Sequence, residues 1–202
     1  MSRVLLTAFE PYDHWQENAS WQALVEFTKD LPLEPKITTR RYPVDFQQVR
    51  ERLESDLGDN YEFALHLGQA PGIASIQLEA VGLNIGGRSS QLPEEFQPLA
   101  GDGPMAFRSG LPLGDWAGRL RRSGIPAQVS YHAGTFLCNA TLYLAHYLVA
   151  QRGLKTRAAF IHLPLTPKQV LAQRQDLPSM DPSVAAAALR LVVSALPRQP
   201  LS

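Results

Sequence analysis

Short apolar runs recur along the 202-residue chain, with stretches of helical period between them. Residues 4–9 (VLLTAF) stop at Glu10-Pro11-Tyr12-Asp13, the pattern of a buried strand running out into a loop. Residues 36–42 read as a second strand, 61–67 as a third ending at Gly68-Gln69, and 127–131 and 157–163 (RAAFIHL) as later ones, the last stopped by Pro164. Asn18 or Ser20 is placed to cap a helix carrying Trp21, Leu24, Val25 and Thr28 on one face. Residues 44–57 set Phe46, Val49, Leu53 and Leu57 three and four apart among charges, an amphipathic helix. Residues 113–122 read as helical and 135–152 as the longest helix, stopped by Gly153, while 167–173 and 182–196 open on prolines that fit a first helical turn. Strands alternating with helices call for a largely parallel sheet covered on both faces. The expected fold is α/β, a three-layer α/β/α arrangement with a mixed, mainly parallel sheet, in one domain over residues 1–202. Sites on such sheets open beyond the carboxyl ends of the strands, which draws attention to residues 9–13, Gly68-Gln69 and His162.

Two segments fit this alternation less simply. Residues 75–84 (SIQLEAVGLN) keep period two throughout and read as one strand, with Glu79 on the opposite face from Leu78. Residues 86–111 are rich in Gly, Pro, Ser and Gln without a clear period, as in a long loop or flap over a site. Residues 197–202 read as a frayed tail.

Nineteen Lys and Arg balance nineteen Asp and Glu, so the chain lacks the basic excess that supplies affinity for phosphate backbones or anionic lipid; nucleic acid and membrane are excluded as expected partners. The apolar stretch after Arg3 is too short for a secretory core, and no apolar run approaches the ~18 residues that span a bilayer. With a single cysteine there is no internal disulfide and no thiolate-rich zinc site, and a reducing, cytoplasmic setting is expected. His14, His66, His132 and His146 are scattered without ligand spacing.

Cys138 follows a small-residue turn, Ala133-Gly134-Thr135, that leads into the longest helix. There the unpaired N–H groups of a first turn favour thiolate over thiol, although a lone cysteine is also commonly core packing. His162 ends a strand; it either faces the crevice or is satisfied by a backbone carbonyl. Glu79 is a carboxylate in an apolar strand, or the solvent-facing residue of an edge. Together they fit a set in which the imidazole takes the thiol proton, the carboxylate fixes the imidazole, and the thiolate attacks a carbonyl. Spacing alone does not bring them together.

The same residues lie in motifs that resemble the pyroglutamyl peptidase I (pyrrolidone-carboxylate peptidase) family of cysteine peptidases. Thr7-Ala8-Phe9-Glu10-Pro11-Tyr12 and Asn18-Ala19-Ser20 are similar to its Thr-Gly-Phe-Glu-Pro-Phe and Asn-Pro-Ser. Gly68-Gln69-Ala70 matches its Gly-Gln-Ala, and Glu79-Ala80-Val81-Gly82-Leu83-Asn84 its Glu-Arg-Val-Ala-x-Asn. Ala133-Gly134-Thr135-Phe136-Leu137-Cys138-Asn139 carries its nucleophile signature, and Phe160-Ile161-His162-Leu163-Pro164 its Phe-Ile-His-x-Pro. The likeness runs in order over nearly the whole chain and is weakest across 86–111. Pro71-Gly72-Ile73, Ala80 and Gly86-Gly87 depart from the pattern, which has an arginine, an arginine and an acidic pair there.

The resemblance implies Cys138 as nucleophile, His162 as general base and then acid, and Glu79 as the orienting carboxylate. It implies Phe9, Tyr12, Phe136 and Leu137 around a lactam pocket, Gln69 and Arg88 near the reacting carbonyl, and Asn18 among the binding residues. It further implies hydrolysis of N-terminal pyroglutamyl peptides through a thioester, with no metal or organic cofactor, and a possible homo-oligomer. A triad acting on another lactam, amide or ester, and a non-catalytic homologue that binds peptides or proteins, are the alternatives at this stage.

Overall fold

The computed structural model describes residues 2–88, 90–173 and 176–196; the expected tail at 197–202 lies outside them. Along the chain come β1 (Arg3–Phe9), α1 (Ala19–Thr28), β2 (Lys36–Tyr42), α2 (Phe46–Asp56), β3 (Phe63–Gln69), β4 (Ile76–Glu79), β5 (Val81–Leu83), β6 (Ala106–Arg108), α3 (Leu113–Arg122), β7 (Ala127–Ser130), α4 (Leu137–Gln151), β8 (Arg157–Leu163), α5 (Pro167–Gln173) and α6 (Pro182–Ser194). A six-stranded sheet has the order β2-β1-β3-β8-β4-β7. Its first four strands are mutually parallel, while β4 runs antiparallel to β8 and parallel to β7. The sheet is thus mixed and mainly parallel, as expected.

Strand alternation sorts the side chains into two cores. Leu5, Phe9, Ala64, Ala158 and Phe160 pack against Val49 and Leu53 of α2 and Leu142, Tyr143 and Leu148 of α4. Val4, Leu6, Ala8, Leu65, Leu67, Ala159 and Ile161 meet α1, α3 and α6 through Leu24, Phe27, Trp116, Leu120, Leu189 and Val192. Both faces of β3 are therefore buried, and its whole run is apolar or hydrogen-bonded. Helix starts fall where capping chemistry puts them. Asn18, Asp45 and Asp181 are the N-caps of α1, α2 and α6, and each side chain accepts a backbone N–H from the first turn.

The strand expected over 75–84 is two strands. It breaks at Ala80, after which β5 leaves the sheet and pairs antiparallel with β6. Two features of α4 hold it there. Gly82 lies so close to the helix that an added Cβ would come within 2.8 Å of the Tyr143 backbone nitrogen. The buried Asn139 side chain accepts from the Leu83 N–H at 2.8 Å and donates to the carbonyls of Leu83 and Ile85. Period two persists through such a break because both halves stay extended.

Residues 86–111, expected as an unpatterned loop, contain β6, a 3₁₀ turn at Pro93–Glu95 and a bridge between Gly86 and Gln97. Asn84 bonds both the N–H and the carbonyl of Ala100, and the Tyr143 hydroxyl donates to the carbonyl of Pro104. The segment is pinned to Asn84, just past β5, and to α4 by single polar contacts, which leave no periodic trace. Among the described residues, no helix is long and apolar enough to cross a membrane.

Candidate active site

Cys138 is the second residue of α4. Its approach includes Gly134 at φ +79°, a conformation glycine adopts at no steric cost. The N-cap, Phe136, is extended and offers no capping side chain; the first helical bond runs from Ala140 N–H to the Phe136 carbonyl at 3.0 Å. The backbone N–H groups of Leu137, Cys138 and Asn139 thus precede the first helical bond and are available to an anion.

The sulfur rests on Gly68, near the end of β3. A Cβ there would lie 3.0 Å from Sγ and 2.6 Å from the Phe160 ring, so only glycine lets helix and strand approach this closely. Gly68 pairs in register with His162 on β8. Across the antiparallel junction His162 pairs with Gln77 and Phe160 with Glu79, which puts Glu79 diagonal to His162 on the same face. The His162 Nδ1 to Glu79 Oε1 distance is 2.8 Å, and the imidazole also interacts with the Cys138 sulfur. Glu79 has no solvent exposure and its Oε2 no hydrogen-bond partner; His162 is 6% exposed. Burial by itself pulls the imidazole down. The negative charge and hydrogen bonding of Cys138 and then Glu79 outweigh it and push its pKa up to about 10.

Beside the sulfur is a small, partly open cavity lined by Phe9, Tyr12, Asn18, Val44, Gln69, Phe136, Leu137 and Cys138. Six of the seven binding residues named from sequence line it. Arg88 does not: it lines two neighbouring clefts, and its guanidinium pairs with Asp45 at 3.5 Å. Burial and then the charge at Cys138 push the Tyr12 phenol up to about 12, so it keeps its proton and stays a donor. Asn18 spends both ends of its amide on the scaffold, capping α1 and donating to the Glu10 carbonyl. Val44, expected as the start of the 44–57 helix, instead lies between β2 and α2 and lines the cavity, just past the carboxyl end of β2 where such sites open. Gln169 of α5 was missed; it is hydrogen-bonded to Gln69 and buried, and nothing in its local sequence marks it.

The histidines outside this site have other partners or none that makes a ligand set among the described residues. His14 is exposed beside Asp13, and His66 is buried against Thr7. Among the described residues, no group of three or more His, Cys, Asp or Glu side chains is placed to hold a metal ion. The site brings together a thiol, an imidazole bonded to a carboxylate, backbone N–H groups at a helix start and a small, largely apolar chamber, a set that could serve acyl transfer.

The family model described as pyroglutamyl peptidase matches residues 2–199. A pyrrolidone-carboxylate peptidase from Streptomyces coelicolor is 33% identical, with 99% of this chain and 94% of the relative covered. One from Erwinia tasmaniensis is 35% identical over 96% and 92%. Among solved structures, a pyrrolidone carboxyl peptidase from Fervidobacterium islandicum AW-1 superposes with a TM-score of 0.91 at 32% identity, covering 97% of this chain and 98% of that one. A mutant pyrrolidone carboxyl peptidase from Pyrococcus furiosus gives 0.88 at 28%, covering 95% and 96%.

Proposed function

The chain belongs to the pyroglutamyl peptidase family, and on that premise we propose that it removes N-terminal pyroglutamate from peptides with Cys138, His162 and Glu79 as its catalytic residues. The observation that carries this reading is the 2.8 Å contact from His162 Nδ1 to Glu79 Oε1, on an imidazole that also interacts with Cys138. In this reading the proton of the pair rests on the imidazole, which the neighbouring Cys138 and Glu79 favour in its charged form. The thiolate attacks the pyroglutamyl carbonyl, and the Leu137, Cys138 and Asn139 N–H groups receive the developing oxyanion. His162 protonates the leaving amine, and the carbon–nitrogen bond breaks to give a thioester. His162 then draws a proton from water, whose oxygen attacks the thioester; the carbon–sulfur bond breaks to free pyroglutamic acid and restore the thiolate beside the protonated imidazole.

Pyroglutamate is neutral, carries no free amine and has one lactam N–H and one ring carbonyl, so its chamber needs apolar walls and few polar groups. Phe9, Val44, Phe136 and Leu137 supply the walls, and Tyr12 and Gln69 the polar groups. The setting is cytoplasmic, where the single thiol stays reduced.

A pyroglutamyl amide of a chromogenic amine tests the reading. The wild type should release the amine and Cys138→Ala should not; full activity in that variant defeats the assignment. Turnover of non-lactam acyl amides with none of the pyroglutamyl amide would mark a different hydrolase.

A further inference from the structure

The polarity that the chamber shows its substrate is set outside the chamber, by a chain of side-chain amides. The Gln69 Oε1 accepts from the Ala19 backbone N–H at 2.8 Å and from Gln169 Nε2 at 2.6 Å, which fills both lone pairs. Gln169 is fixed in turn. Its Oε1 accepts from the Thr166 backbone N–H at 2.8 Å, and its Nε2 also donates to the Glu17 carbonyl at 3.0 Å. A backbone N–H can only donate, so neither amide can turn over without setting donor against donor. Gln69 therefore presents its Nε2, a donor, to the chamber. That atom is buried, has no partner within 3.5 Å, and has the Tyr12 hydroxyl as its polar neighbour across the chamber lining. Gln69 and Gln169 are 4% and 5% exposed, so water does not blur the arrangement.

We propose that Gln169 is a positioning residue for specificity: by holding Gln69 Nε2 toward the chamber, it makes the site select acyl residues with a ring carbonyl, a lactam over a plain pyrrolidine. This rests on the pyroglutamyl reading above. The scissile carbonyl is served by the α4 N–H groups, which leaves the ring oxygen for Gln69. A prolyl group has no ring oxygen, so it leaves the buried Nε2 unpaired, and this mismatch adds to the cost of placing its protonated ring amine between apolar walls.

Gln169→Glu separates this role from a structural one. An ionised carboxylate at 169 still accepts from Thr166 but cannot donate to Gln69; its charge outweighs the single Ala19 N–H, so Gln69 turns its Nε2 toward the carboxylate and its oxygen toward the chamber. A protonated carboxyl can donate and restores the original polarity. With paired pyroglutamyl and prolyl amides of one chromogenic amine, the variant should lose about a hundredfold in kcat/KM on the pyroglutamyl substrate, mostly in KM, and little on the prolyl one. Relative to wild type the deficit should widen as pH rises and close toward acid. Alkylation of Cys138 by iodoacetamide should keep its wild-type rate. Should the buried charge prevent folding, Gln169→Leu should show the same loss confined to pyroglutamyl turnover, but smaller, since Ala19 still holds Gln69. An equal loss on both substrates, a deficit in Gln169→Glu that ignores pH, or no deficit in either variant overturns the proposal. A wild type inactive on pyroglutamyl amides would instead defeat the reading beneath it.

Discussion

Two residues carry the geometry around the sulfur. Glu79→Gln keeps the shape of the acid but removes the charge that supports the protonated imidazole, one of the interactions holding His162 near 10. We expect kcat to fall roughly a thousandfold, with the His162 ring titrating at lower pH by NMR; an unchanged titration would show that the carboxylate does not act on the ring. Gly68→Ala drives a methyl into the Phe160 ring and the sulfur, which should cost about 1–3 kcal/mol in urea unfolding and most of the activity. Cys138 and His162 were legible as candidates because a turn before a helix and a strand end are places where chemistry collects. Glu79 was legible only as a carboxylate in an apolar run. Its bond to His162 depends on an antiparallel neighbour that no local pattern reveals. The placement of Arg88 outside the chamber and of Gln169 behind it was likewise a matter of three-dimensional packing.

The contact between α4 and the β5–β6 ribbon decides whether Cys138 keeps its place, since Asn139 is the next residue and latches β5. Asn139→Ala leaves one N–H and two carbonyls with a lost partner, and we expect a loss of about 3 kcal/mol together with faster hydrogen exchange at residues 81–85. Protection of those amides equal to wild type would contradict the latch. Helices were the most legible elements: α3 ends where its period does, Asn18 sits at the cap of α1, and Pro182 opens α6. The break at Ala80 and the pinning of residues 86–111 were hidden, because close approach to Tyr143 and isolated side-chain bonds have no repeat along the chain.

Across the whole molecule, buried histidines give opposite pH dependences. Burial, and then the proximity of His146, lowers the His66 pKa to about 3; burial lowers His146 to about 4. Both rings are neutral in the fold, so their contribution is complete above the unfolded value near 6.5 and is lost as pH falls toward the folded values. His162 is raised to about 10; its contribution is complete below 6.5 and is lost as pH climbs through 10. The thermal midpoint should therefore be highest near neutrality and fall on both sides, with His66→Gln flattening only the acid limb; an acid limb unchanged in that variant would assign it to carboxylates instead. The layered α/β architecture was readable from the alternation of elements. The central chemical claim is that a thioester forms on the Cys138 sulfur. Rapid acid quench of enzyme turning over a pyroglutamyl amide, followed by mass analysis of the peptide that carries Cys138, should find that peptide bearing one pyroglutamyl group in the wild type and none in Cys138→Ala. Continued hydrolysis with Cys138 never acylated, and with the alanine variant still active, would contradict it.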